Sequence, residues 1–154
     1  MSRPTAHARR LAAAAAVLLP AALALASLAA WSPGLPPAIG THWSSPGPAD
    51  RTTPTDEFFA GTFAVAAIAA VVGATAALLP RAHPLARRLI LLATGSVSAI
   101  AAAQWLVSTW LTIRDGDPAQ AVLGAWILVP FAAFAYGVIP LLLAPPPRPA
   151  RISP

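Results

Sequence analysis

His42 and Asp50 bracket the most distinctive segment of the sequence, Leu35-Pro-Pro-Ala-Ile-Gly-Thr-His-Trp-Ser-Ser-Pro-Gly-Pro-Ala-Asp50. An imidazole and a carboxylate brought together can clamp a turn through a hydrogen bond. With Asp56 or Glu57 they offer a hard nitrogen and oxygen set for a divalent cation, with His42 and Asp50 its first candidates. With Thr41 or a nearby Ser as nucleophile, His42 would act as general base. No H-x-x-x-H spacing supports the metal, and no nucleophile elbow or H-E-x-x-H signature supports catalysis. The clamp is the favoured reading; no catalytic residue is assigned and no cofactor is expected. The chain has no Cys, which excludes disulfides, thiolate metal sites and Cys nucleophiles. His7 and His83 fall in other segments and read as solvated.

Local chemistry favours the clamp. The prolines oppose helix and favour an extended run followed by a turn. Pro46-Gly47 suits the centre of a type II turn, Pro fixing φ and Gly supplying a positive φ, so the chain reverses between His42 and Asp50.

What holds this segment in place follows from composition. The 154 residues are 57% hydrophobic and 10% charged, too apolar for a soluble domain of this size. Four uncharged apolar stretches, 11–31, 58–80, 89–113 and 119–144, are each long enough to cross a bilayer, since about 20 residues span a hydrocarbon core of about 30 Å. The expected fold is all-α, a single polytopic bundle of about four transmembrane helices. An outer loop covers 32–57, an inner basic turn 81–88, an outer turn 114–118 and a proline-rich tail 145–154.

Arginines orient this bundle. Arg3, Arg9, Arg10, Arg81, Arg87, Arg88, Arg148 and Arg151 fall on one side, whereas Asp50, Asp56, Glu57, Asp115 and Asp117 share the other with Arg51 and Arg114 alone. Basic residues near span ends stay in the cytoplasm, so both termini are expected there and the His42 segment outside. The Ala, Arg and Pro bias looks like a GC-rich bacterial coding sequence, for which the membrane would be the bacterial cell (inner) membrane. Trp31, Phe58, Phe59, Phe63, Trp110 and Trp126 lie toward the outward ends, as interfacial rings do. The sequence pI of about 11.6 does not imply a nucleic-acid partner, because the arginines are divided among three short segments; attraction to anionic lipid explains them. Arg9-Arg10 followed by an apolar run and Ser27-Leu28-Ala29 also fits a cleaved signal peptide, but the run exceeds the usual apolar core of such peptides and is expected to remain as a span.

No Asp, Glu, Lys, Arg or His falls inside a span, which argues against a self-contained ion-coupled transporter. Gly95, Ala99 and Ala103 put small residues on one helix face, and Gly61 and Gly73 in the second span invite the same packing reading. Packing within the bundle is favoured over a homodimer seam, although a homo-oligomer stays open. Pro20, Pro130 and Pro140 are expected to bend their helices.

Leu35, Pro36, Ile39, Thr41, His42, Gly47 and Asp50, with the spacings between them, resemble the loop L-P-x-x-I-P-x-H-x-x-x-x-G-x-x-D. That loop marks a bacterial membrane domain of uncharacterised function found at the N-terminus of Sdp-type toxin immunity proteins. Gly40 stands where that pattern has proline, and the chain lacks the additional helices of the better understood members. The resemblance implies an extracytoplasmic recognition or protective loop built on Leu35, Pro36, Ile39, His42, Gly47 and Asp50, with a peptide toxin or another membrane protein as partner besides the bilayer. The alternative is an accessory subunit of a membrane transport or envelope complex; neither reading is an enzyme.

Overall fold

The computed structural model describes residues 5–79 and 83–146. Arg3, Arg81, Arg148 and Arg151, and most of the proline-rich tail, lie outside the described residues. The chain is mostly helical, and four helical stretches are long and apolar enough to cross a membrane.

Helix α1 (Ala6–Trp31) starts five residues before the apolar run, because Thr5 caps it by accepting from the Ala8 amide and Arg9 and Arg10 continue it readily. It passes through Pro20 without interruption. A 3-10 turn (Ser32–Gly34) follows, then strand β1 (Ala38–His42), strand β2 (Arg51–Pro54) and helix α2 (Thr55–Leu78). Asp56 and Glu57 belong to the first turn of α2, where carboxylates offset the positive helix end. Helix α3 (Pro84–Asp115) absorbs most of the expected inner turn and the first two residues of the expected outer turn. Pro84 suits its start and Gly116, at φ 74°, ends it. The loop after α3 then runs to Leu123, five residues further than the apolar pattern suggests.

The fourth stretch is segmented: a 3-10 turn (Gly124–Ile127), helix α4 (Leu128–Phe134), a second 3-10 turn (Ala135–Gly137) and helix α5 (Val138–Leu143). Pro140 has no N–H to give the Tyr136 carbonyl, and the ladder tightens to 3-10 just there.

The expectation of an all-α fold needs one correction. β1 and β2 form an antiparallel hairpin in the register Ile39↔Thr53, Gly40↔Thr52 and His42↔Arg51, with an irregularity at Thr41. Helix propensity is suppressed there by prolines, and paired strands satisfy the backbone groups instead.

α3 is the centre of the bundle, packing on α1, α2, α4 and α5, whereas the fourth stretch is peripheral. The interior is lined by small residues such as Ala13, Ala66, Ala70, Ala77 and Ala102. Trp105, Leu91 and Leu111 are also fully buried, but many large apolar side chains point outward: Ile68, Phe131 and Leu142 are 66%, 69% and 64% exposed. Gly95, Ala99 and Ala103 are buried within the bundle, Gly95 against Pro140 and Gly137, so this face serves intramolecular packing. Gly73 is likewise close to Thr94 and Val17, whereas Gly61 meets open space.

Candidate functional site

The hairpin sits on the end of the bundle formed by the last turns of α1 and α3 and the first turn of α2. Ile39 is fully buried and Leu35 packs beside Trp105 and Ala24. The Pro36 carbonyl accepts from Thr55 Oγ1 at 2.5 Å, and the Pro37 carbonyl accepts from the Thr55 amide at 3.1 Å. The Gly40 amide donates to Thr112 Oγ1 at 3.1 Å, fastening β1 to α3. On the far side, the Trp43 indole N–H and the Ala49 amide both donate to the Ala121 carbonyl, at 2.7 and 2.9 Å. This shared acceptor explains why 119–123 is not helical: the segment is held against the hairpin, and Pro48 pairs with Val122.

Within this frame the chain reverses between His42 and Asp50, as the prolines suggest. His42 Nδ1 lies 2.5 Å from Asp50 Oδ1, the Ser44 amide donates to Asp50 Oδ2 at 2.9 Å, and the Asp50 amide donates to the His42 carbonyl at 2.9 Å. An ionised carboxylate only accepts, so Nδ1 carries the proton of this contact and Nε2 stays outside the clasp. The expected type II turn does not form: among the described residues only Gly116 and Gly124 have positive φ. Gly47 instead donates its amide to Ser45 Oγ at 3.3 Å, and the asparagine-like role of closing the turn falls to Asp50.

Hydrogen bonds from Ser44 first, and then from the His42 ring, hold the Asp50 carboxyl at about 2, below its ordinary 3.8. A lowered carboxyl pKa means that the clasp contributes fully above pH 3.8 and is lost as pH falls toward about 2. Exchange of the Ser44 amide is therefore expected to stay slow from neutral pH to about pH 4 and to accelerate below it once intrinsic exchange is corrected for. Acceleration already between pH 7 and 5 would contradict this clasp.

The alternative chemistries find less. Thr41 Oγ1 bonds to Thr53 Oγ1 at 3.0 Å and to the Arg51 carbonyl at 3.5 Å, which occupies it away from the His42 ring. Asp56 and Glu57 line two other surface hollows, and among the described residues no three His, Asp or Glu side chains gather to hold a metal.

What the motif does border is a cleft of about 420 Å³ between the hairpin, α3 and α4. It is lined by His42 and Trp43 from the hairpin, by the polar Gln104 from α3, and by the apolar wall of Leu123, Phe131 and Phe134. Size, apolar walls and a few polar groups are the properties of a binding cleft. Sequence reasoning missed the wall, which comes from a stretch that reads only as apolar. Gln104 had a signal, being the one carboxamide within the third apolar run. The five acidic residues of the sequence lie at this end, and Arg114 pairs with Asp115 at 2.6 Å.

No family model, curated protein or solved structure matches the chain.

Proposed function

We propose that this chain is a non-enzymatic, multi-pass protein of the bacterial cell membrane, with both termini cytoplasmic and the hairpin outside. On this reading the hairpin and its cleft recognise, or shield the membrane against, a peptide that arrives at the outer face. Insertion is supported by the distribution of side chains: a bundle whose interior is rich in alanine and which turns many Ile, Leu and Phe side chains outward gains by placing that surface in lipid, and would expose large apolar patches in water. Orientation is supported by the division of arginines and acids between the ends. Retention of α1 as a span is supported by its packing, with Val17 and five α1 alanines or prolines buried in the bundle.

The observation that carries the recognition reading is His42, clasped by Asp50 and lining an apolar cleft. The clasp fixes the imidazole and leaves Nε2 for a polar contact in a cleft that Gln104 also lines, while the wall takes an apolar side chain. The loop motif's resemblance to Sdp-type toxin immunity proteins supplies the class of ligand. In a host sensitive to an Sdp-type peptide toxin, the chain is expected to raise survival, and a His42→Ala/Asp50→Ala variant that inserts to the same level is expected to lose most of that protection. Equal survival with wild type and variant would overturn the assignment.

A further inference from the structure

At the end of the bundle opposite the hairpin, α1 and α3 begin side by side and four described arginines collect. Two of them close helix ends. Arg9 Nη2 donates to the Leu142 and Ala144 carbonyls at 2.8 and 3.0 Å, and Arg87 donates through Nε to the Ala76 carbonyl at 3.2 Å and through Nη2 to the Leu79 carbonyl at 2.6 Å. Those are carbonyls that a helix C-terminus leaves without intrahelical donors.

The other two have no such role. Arg10 and Arg88 are half-buried and make no hydrogen bond or ion pair to any described residue, and Arg10 Nε, like Arg9 Nε, is fully enclosed without an acceptor. Arg10 also lies close enough to Arg87 for the two charges to act on each other. The sequence places no Asp or Glu at this end, since its five acids are Asp50, Asp56, Glu57, Asp115 and Asp117. Neither α1 nor α3 has an acid in its first turn, so two positive helix ends add to the field. Guanidinium groups withdrawn from water without a partner are unfavourable, and here no acidic side chain of the described residues is at hand to pair with them.

The surroundings define the anion. Leu11, Leu85 and Leu89 flank these arginines and are 49%, 60% and 56% exposed, so charge and apolar surface meet within one helical turn. A phosphate accepts the paired N–H groups of arginine, and a phosphate joined to acyl chains would satisfy the leucines as well. We propose that Arg10 and Arg88 hold the phosphate of an anionic phospholipid headgroup, whose chains lie along the neighbouring leucines. This assignment rests on the membrane reading above.

The test uses the full chain purified in detergent, with thermal unfolding followed on titration with phosphatidylglycerol, phosphatidylcholine or inorganic phosphate. Phosphatidylglycerol is expected to raise Tm at lower concentration than phosphatidylcholine, with inorganic phosphate inactive over the same range. Arg10→Gln and Arg88→Gln are each expected to weaken the phosphatidylglycerol effect about five-fold, the factor for one basic side chain at an anionic surface. Arg51→Gln, the same charge change at the hairpin end, is expected to leave it unaltered. No preference for phosphatidylglycerol in the wild-type chain, or equal responses in all three variants, overturns the site. A matching response to inorganic phosphate overturns the lipid and assigns a soluble phosphate. Extraction of the wild-type chain from membranes by alkaline carbonate overturns the membrane reading itself, whereas stable insertion without lipid preference overturns only this site.

Discussion

A Gly137→Ala variant is expected to be less stable than wild type by about 3 kcal/mol, although alanine is ordinarily the better residue in a helical segment. A Cβ at Gly137 would fall on the Leu92 carbonyl oxygen and lie 2.5 Å from Ser96 Oγ. The first obstacle is backbone and cannot rotate aside. The second is engaged, since Ser96 Oγ donates to the Phe134 carbonyl at 2.6 Å. The crossing of α3 with the fourth stretch must therefore open, with an overpacking cost of about 1 to 3 kcal/mol and about 1 kcal/mol for the hydrogen bond. Gly61→Ala, where a Cβ meets nothing within 4 Å, is the matched control and should change stability by less than about 1 kcal/mol. Denaturation in detergent with a graded fraction of SDS reads both. A neutral Gly137→Ala would mean that the two elements do not cross this closely.

A Gly40→Pro variant, which restores the residue of the resembling loop pattern, is expected to undock the hairpin at a similar cost of about 3 kcal/mol. Proline removes the amide that donates to Thr112 Oγ1, and its Cβ would sit 2.7 Å from the Pro118 carbonyl oxygen and 3.0 Å from the Ala49 Cβ. Thr112 keeps its own bond to the Ser108 carbonyl, so α3 should persist while the hairpin loosens. Trypsin cleavage after Arg51 follows that loosening directly, because Arg51 is exposed but held in β2. Faster cleavage with retained helicity is the expected result; unchanged cleavage would contradict the docking. Glycine at position 40, where the resembling loop pattern has proline, thus has a physical reason in this chain: β1 approaches the loop after α3 too closely for a side chain.

These two glycines also mark where sequence reasoning ends. Long apolar runs identify α1, α2 and α3 because a span must be apolar throughout, but they do not mark helix ends: Arg9, Arg10 and Arg87 are helical despite their charge. Gly40 and Gly137 carry no local signal, because the atoms that crowd them come from Pro118 and Leu92, remote in sequence. The His42 and Asp50 contact was readable, since proline and glycine between them require a reversal, but the type II geometry was not, because Trp43 and Ala49 are drawn to the Ala121 carbonyl and set the turn instead. The cleft wall was hidden for a similar reason. Phe131 and Phe134 come to line the same cleft as His42 only after Gly116 turns the chain and residues up to Leu123 dock on the hairpin.

The central claim, a hairpin on the outer face of a membrane-spanning bundle, is tested most directly by labelling in intact cells with a membrane-impermeant thiol reagent. The chain has no cysteine, so single substitutions report without background. Pro46, at the hairpin tip, and Ala86, in the first turn of α3 at the opposite end, are both exposed. Pro46→Cys is expected to react in intact cells, and Ala86→Cys only after the membrane is permeabilised. Reaction of Ala86→Cys in intact cells with Pro46→Cys protected would invert the topology and remove the basis for recognition at the outer face.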